Sequence, residues 1–219
     1  VRDPAEYFGA ALRAALGRSG IVIAGGTEVT DRLSAGAWEQ AGQLRSDLLT
    51  AIEVTNKHSQ NFFAESLCRL LGARRSGTGS WQAGVLAVKE FLGRAGIPAE
   101  SYSLADGSGL SRNNRLAPAQ LTRLLVYMFA HTWKQEYLLS LAHSGEPGLR
   151  WEKRLAAPPY RDNVFAKTGT LNGVSTLSGY AKARSGKTYA FSILCNGTRG
   201  AAVAQRAQDA IVRALVDHG

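Results

Sequence analysis

Apolar side chains recur every three or four residues through much of the first 130 positions, which is typical of amphipathic helices. Asp3-Pro4-Ala5-Glu6 predicts a helix start, with Asp3 as the cap and Pro4 in the first turn. This helix is expected to end at Gly17 or Gly20, before a short strand over residues 21–24. Further helices are predicted on the stripe Leu44, Leu48, Leu49 and Ile52, over 62–71 with a stop at Gly72, over 80–94, and from Pro118 onward.

The spacing of the apolar residues changes after residue 160. Three stretches, 164–168, 174–183 and 188–196, are rich in β-branched and aromatic residues. Turn-prone segments containing Asn172-Gly173 and Ser185-Gly186 join them, so the pattern predicts an antiparallel meander. A closing helix over 201–216 has one apolar side. Helices followed by a meander and a covering helix predict an α+β fold.

Composition allows one large domain or two small ones, because 219 residues with 45% hydrophobic and 20% charged positions suit a folded core. No apolar stretch approaches the length that crosses a bilayer. The net charge of +9 favours anionic partners such as nucleic acid, cell-wall polymer or a membrane surface. The arginines are scattered, however, and no basic run is interleaved with aromatics, which disfavours nucleic-acid binding.

Cysteines and histidines suggest neither a disulfide framework nor a metal site. Cys68 and Cys195 have no pairing signature and are predicted to be buried free thiols, one in a helix and one in a strand. None of the histidines has metal-ligand spacing with Cys or Glu: His58, His131, His143 and His218.

Three polar segments stand out: Ser59-Gln60-Asn61, residues 106–112, and residues 166–171 with the sequence Ala-Lys-Thr-Gly-Thr-Leu. Taken singly, each has an ordinary explanation. Ser59 could cap the helix that follows, since serine is favoured there. Lys167 alone would be a solvated strand lysine, and Arg112 a surface residue. Their joint occurrence in this order changes the interpretation.

In this order the segments resemble the low-molecular-mass class C penicillin-binding proteins, the serine-type D-alanyl-D-alanine carboxypeptidase/endopeptidase family. The similarity extends to Asp3-Pro4-Ala5, to residues 64–67 and to residues 173–180, so it covers nearly the whole chain. It implies an α+β penicillin-binding transpeptidase/serine β-lactamase-like domain. It also implies peptidoglycan stem peptides and β-lactam antibiotics as partners, a periplasmic or other extracytoplasmic location, and neither metal nor organic cofactor.

The resemblance also assigns catalytic roles. Ser59 would relay a proton toward the departing D-alanine. Asn61 would bond the substrate amide and the lysine partner of the nucleophile. Lys167 would supply the fixed positive charge that a terminal carboxylate needs.

Substrate-binding roles fall on four further positions. Thr168 and Thr170 would offer hydroxyls at a strand edge, and the N–H of Thr170 would be one of two oxyanion donors. Gly169 has no Cβ, so a substrate backbone could lie close to the strand. Arg112 would line the cleft rim and contact the peptide stem.

One element of the family pattern is absent: no serine in the chain has a lysine three residues later. Ser66-Leu67-Cys68-Arg69 comes nearest, but arginine stays charged and cannot act as a base. We therefore expect residues 1–219 to be a C-terminal portion of such a domain, inactive alone, with 1–43 bordering an inserted domain. A missing N-terminal segment of the same protein would carry the nucleophile. The alternatives are a non-catalytic muropeptide-binding or structural remnant of this fold and, more weakly, a serine β-lactamase.

Overall fold

The computed structural model describes residues 2–30, 36, 39, 42–43, 45–149 and 151–219. It divides into two compact units, Val1–Arg45 and Ser46–Gly219. The first unit contains helix α1 (Pro4–Arg18). The Asp3 carboxylate accepts hydrogen bonds from the N–H groups of Ala5 (2.8 Å) and Glu6 (3.0 Å), which confirms the predicted helix start.

The strand predicted over residues 21–24 is wrong. These residues pair with no strand in the described part of the chain, and Val22 is 90% exposed. Arg13 donates instead to the carbonyl of Ile23 (2.6 Å). A short apolar run does not hold a strand conformation unless a neighbouring strand accepts its backbone hydrogen bonds.

The second unit begins with a cluster of helices. Asp47 and Ser80 cap two of them, accepting from the N–H of Thr50 (2.9 Å) and Ala83 (3.2 Å). Leu44, which the sequence pattern placed with the second helix, lies outside the described residues. The helices are α2 (Leu48–His58), α3 (Asn61–Ser76), α4 (Trp81–Arg94), α5 (Pro118–Phe129) and α6 (Lys134–Ser140), with a 3₁₀ turn at Ala99–Ser101.

Helix α3 does not stop at Gly72, as the sequence suggested, but continues to Ser76 and ends at Gly77 with φ 74°. Gly72 has a packing role instead. A Cβ built on it would lie 2.7 Å from the backbone nitrogen of Gly84 on α4, and a Cβ on Gly84 would overlap the backbone of Cys68. Both glycines therefore allow α3 and α4 to pack with their backbones in close contact.

The sheet has four antiparallel strands in the order β1 (Ala142–His143), β2 (Val164–Leu171), β3 (Val174–Lys182) and β4 (Thr188–Asn196). The meander β2–β3–β4 is confirmed. Strand β1 was not predicted, because two residues are too few to show the alternation of apolar and polar positions that indicates a strand. Helix α7 (Ala201–His218) follows the sheet and confirms the closing helix.

Alternate residues of the strands face two different layers of the second unit. On one side, Leu177 and Phe191 pack with Val212 and Val216 of α7. On the other side, Tyr180 packs with apolar residues of α5 and α6, and its hydroxyl donates to the Leu125 carbonyl (2.6 Å). The sheet therefore lies between α7 and the helical cluster, and the side that faces the cluster carries the candidate site.

Candidate active site

Ser59 lies at the junction of two helices. It follows the last residue of α2 and has a left-handed backbone, with φ 54° and ψ 45°. Gln60, not Ser59, occupies the N-cap position of α3, so the helix-cap explanation for Ser59 is wrong. A non-glycine residue in this conformation costs free energy, which is characteristic of positions held for another reason. Asn61 is the first residue of α3 and is exposed.

Lys167 of β2 reaches this junction from the sheet. Its Nζ donates hydrogen bonds to Ser59 Oγ and to the carbonyl of Thr168 (2.9 Å), so residues 108 positions apart in sequence meet here. Within the described residues no carboxylate forms an ion pair with Lys167. Burial lowers the pKa of Lys167 to about 8. The site thus holds a half-buried cation whose described partners are neutral, which suits the binding of an anion. Lys167 is therefore not a freely solvated strand lysine.

The outer edge of β2 is open where Lys167 lies. The Val164 carbonyl accepts from the N–H of Ser144 (2.9 Å), and the Val164 N–H donates to the Ser144 hydroxyl (3.3 Å). Because Ser144 lies on the side away from β3, the even-numbered residues of β2 direct their backbone N–H and C=O groups away from β3. Pairing with β1 ends at Ala166. In the described residues, the N–H and C=O groups of Thr168 and Thr170 therefore face no neighbouring strand.

The side chains of β2 lie alternately on the two faces of the sheet. Gly169 shares the face of Lys167 and lies opposite Thr176 of β3, while Thr168 and Thr170 lie on the face toward α7. A Cβ on Gly169 would overlap Thr176 Oγ1, so the glycine already has a reason within the sheet. The predicted close approach of substrate at Gly169 stays a prediction. The edge groups of Thr168 and Thr170 that point outward are backbone groups.

The turn over residues 106–112 is fixed to α3 by hydrogen bonds. The Glu65 carboxylate on α3 accepts the N–H groups of Gly107 (3.2 Å) and Ser108 (2.9 Å). Asp106 accepts those of Gly109 (2.8 Å) and Ser111 (2.6 Å). Sequence reasoning predicted the turn but gave Glu65 no role; its place in the family-like segment 64–67 was the available signal.

Arg112 extends from this turn toward the sheet. Its Nη2 donates to the carbonyl of Asn172, in the turn between β2 and β3, at 2.7 Å. The side chain is exposed and joins the loop to the hairpin tip. The structure therefore brings together Ser59, Lys167 and the edge of β2. Asn61 lies two residues after Ser59, and Arg112 is bonded to the tip of the β2–β3 hairpin.

Other chemistry is limited in the described part of the chain. No group of three or more His, Cys, Asp or Glu side chains there could hold a metal ion. Cys68 is buried and Cys195 half-buried, both free, and burial raises the pKa of the Cys68 thiol. No described helix is both long and apolar enough to span a bilayer.

The α+β fold, with a lysine on an open sheet edge hydrogen-bonded to a serine at a helix junction, is that of a penicillin-binding transpeptidase/serine β-lactamase-like domain. The model of the D-Ala-D-Ala carboxypeptidase 3 (S13) family matches residues 1–217, and the chain belongs to this family.

Known proteins agree with this assignment. A D-alanyl-D-alanine carboxypeptidase of Actinomadura sp. is 33% identical over 226 residues, covering 100% of this chain and 41% of the relative. The crystal structure of penicillin binding protein 4 (dacB) from Haemophilus influenzae, complexed with a novel beta-lactam, is 30% identical. It has a TM-score of 0.80 and is matched over 100% of this chain and 52% of its own.

The TLA-1 extended spectrum beta-lactamase shares the fold at 18% identity, with a TM-score of 0.59 over 94% of this chain and 79% of its own. The chain spans less than half the length of the curated relative from Actinomadura.

Proposed function

We propose that the full-length protein is a serine-type D-Ala-D-Ala carboxypeptidase or endopeptidase that acts on peptidoglycan stem peptides through an acyl-enzyme and binds β-lactams. The observation that carries this proposal is the hydrogen bond between Lys167 and Ser59 beside an open strand edge. The names of the relatives support the same reaction and the same inhibitors.

Lys167 is suited to the terminal carboxylate of such a substrate. Its ammonium is half-buried and has only a hydroxyl and a carbonyl as partners, so a bound carboxylate would supply the missing negative charge. Charge-assisted hydrogen bonds are the stronger ones, and their strength increases where water is excluded.

The open edge of β2 is suited to the substrate backbone. A peptide lying antiparallel to residues 168–170 would pair with the outward N–H and C=O groups, as an added strand does. In this position the N–H of Thr170 would donate to the oxyanion of the tetrahedral intermediate, an interaction that typically lowers the activation barrier by about 3–4 kcal/mol. Thr168 and Thr170 would then act through their backbone groups, because their side chains lie on the face toward α7.

Ser59 is suited to proton transfer to the departing D-alanine, since it is already hydrogen-bonded to a lysine whose pKa lies near 8. Asn61, two residues further, would orient the substrate amide. The nucleophile itself must be a serine activated by a lysine, and these 219 residues contain no Ser-x-x-Lys. We propose that it comes from other residues of the full-length protein. Because stem peptides belong to a polymer outside the cytoplasmic membrane, we also propose an extracytoplasmic location.

Fluorescent penicillin tests this proposal. Full-length protein and residues 1–219 alone are each incubated with the label, boiled and run on a denaturing gel. We expect a labelled band for the full-length protein and none for residues 1–219. A labelled band from residues 1–219 would contradict the assignment of the nucleophile, and an unlabelled full-length protein would contradict the proposed reaction.

The absence of Ser-x-x-Lys favours a second candidate, a non-catalytic muropeptide-binding protein of the same fold. Such a protein would bind stem peptides through Lys167 without forming an adduct. Calorimetric binding of a D-Ala-D-Ala peptide by an unlabelled full-length protein would support it, and covalent labelling would exclude it.

A further inference from the structure

The last turn of α2 leads directly into Ser59. Ser59 is exposed, and its hydroxyl touches only Lys167 among the described residues. Its position is therefore set by the helices on either side of it, α2 and α3, and the last turn of α2 carries its own polar attachments. Two residues of this turn contact the chain around β1: Asn56 bonds Ser140, just before the strand, and Lys57 bonds Glu146, just after it.

Lys57 makes an ion pair with Glu146 at 2.8 Å and a second, i,i+4 pair with Glu53 at 3.0 Å. Burial alone would raise the pKa of Glu146, but the hydrogen bonds from Lys57 and from the His143 N–H hold it below its usual range. Asn56 adds a neutral contact, donating to Ser140 Oγ at 2.8 Å. The end of α2 is thus attached to the chain on both sides of β1.

The attachment continues to Lys167. Glu146 Oε2 accepts the backbone N–H of His143 (3.0 Å), and His143 pairs with Phe165 of β2. Lys167 lies two residues further along the same strand, with its side chain on the same face as Phe165. The contacts form a closed ring: Ser59 follows α2, α2 is held by Glu146, Glu146 holds β1, β1 pairs with β2, and β2 carries Lys167 back to Ser59.

We propose that Lys57 and Glu146 are positioning residues that hold Ser59 in hydrogen-bond contact with Lys167. The inference rests on the proposed function, because it assigns Ser59 to the proton-transfer step. A serine displaced by about 1 Å would still leave the ligand-binding edge intact but would slow the chemical step, by up to about a hundredfold.

The chain offers a matched control. Arg154 and Asp209 form an ion pair of 2.7 Å whose side chains are 16% and 21% exposed, against 15% and 16% for Lys57 and Glu146. The control pair joins α7 to the segment before β2, on the other side of the sheet. Glu146→Gln and Asp209→Asn therefore remove one charge from similarly buried pairs, only one of which leads to Ser59.

The experiment measures acylation of full-length protein by fluorescent penicillin over a range of concentrations, which separates the saturating rate constant from the apparent dissociation constant. Glu146→Gln should lower the saturating rate constant about tenfold with the dissociation constant within twofold. Asp209→Asn should change both by less than twofold while lowering Tm as much or more. Lys57→Arg, which keeps the cation, should retain most of the rate, and Lys57→Met against Arg154→Met repeats the comparison if Glu146→Gln folds poorly.

Equal rate constants in Glu146→Gln and the parent, with the parent acylating normally, would overturn the positioning role and leave the proposed function standing. Crystal structures of the parent and Glu146→Gln test the same inference without any acylation. We expect the Ser59–Lys167 hydrogen bond to be lost in the variant. An unchanged contact would overturn the inference even if the parent proved unreactive and the proposed function failed.

Discussion

The two faces of the sheet are held by different interactions. On the face toward α7, Leu177, Val212 and Val216 are at most 1% exposed, so apolar burial accounts for the contact. On the face toward the helical cluster, the apolar row of Phe165 and Tyr180 gives way to Lys167, and polar contacts take over. The comparison separates stability from function: the first face should govern unfolding and the second should govern ligand chemistry.

The largest expected effect is on the α7 face. Leu177→Ala removes a fully buried side chain from the main apolar cluster and should lower the free energy of unfolding by about 2–5 kcal/mol. Chemical denaturation measures this loss. Val203→Ala, on the exposed side of α7, should stay within about 0.5 kcal/mol of the parent. Equal losses for the two variants would mean that this face is not the stabilising one.

Lys167→Ala should impair ligand chemistry and not the fold. Losing a charge-assisted hydrogen bond to the ligand, worth about 1.5–3 kcal/mol, should slow acylation of the full-length protein by penicillin at least tenfold. Stability at neutral pH should not fall, because the half-buried ammonium has no ionic partner among the described residues and burial of its charge opposes folding. Lys182→Ala, an exposed lysine on the adjacent strand, is the control and should acylate normally. Acylation of Lys167→Ala within twofold of the parent would rule out the role.

The charge on Lys167 should make both stability and ligand affinity depend on pH. Burial lowers the pKa of Lys167 to about 8 from an ordinary value of 10.5, so the folded state loses this proton before the unfolded state does. The unfolded state then binds more protons, and the free energy of unfolding should rise between about pH 8 and pH 10 from this residue. The affinity for an anionic β-lactam should instead fall, by about fourfold from pH 7 to pH 8.5, as the charge is lost.

Lys167→Arg serves as the control for both trends, because arginine keeps its proton throughout this range. Its affinity and stability should lack these two slopes, whatever their absolute values. A parent protein whose affinity is flat from neutral pH to pH 9 would show that the charge on Lys167 does not select the ligand.

The smallest effect is expected at the rim. Arg112→Ala removes one exposed hydrogen bond to the Asn172 carbonyl and should lower stability by about 0.5 kcal/mol, with acylation slowed less than about threefold. Thermal melting measures the change in stability, and labelling kinetics measure the change in acylation rate, each compared with an Arg115→Ala control. A tenfold loss of acylation would move Arg112 from the rim into direct contact with the substrate.

The sequence predicted those parts of the fold that depend on local pattern. The cap at Asp3 and the strands β2 to β4 follow from neighbouring residues and were found as expected. The end of α3 was misplaced because the role of Gly72 depends on Gly84 of another helix. Likewise β1 is too short for any period, and its position depends on pairing with β2.

The candidate site was harder to predict from the sequence pattern than the fold. Ser59 and Lys167 were singled out by family resemblance, because nothing local indicates that residues 108 positions apart will meet. The acidic residues that hold the site together, Glu65 and Glu146, would be assigned to solvent by sequence alone. Their role appears only when backbone N–H groups and a lysine from distant segments are placed beside them.

The open edge of β2 has a consequence for amide hydrogen exchange. Lys167 and Gly169 direct their N–H groups into the ladder with β3, whereas Thr168 and Thr170 direct theirs outward past the end of β1. Protection should therefore alternate residue by residue along one strand. A ligand that adds to this edge would slow exchange at Thr168 and Thr170 alone, and the alternation would disappear on binding.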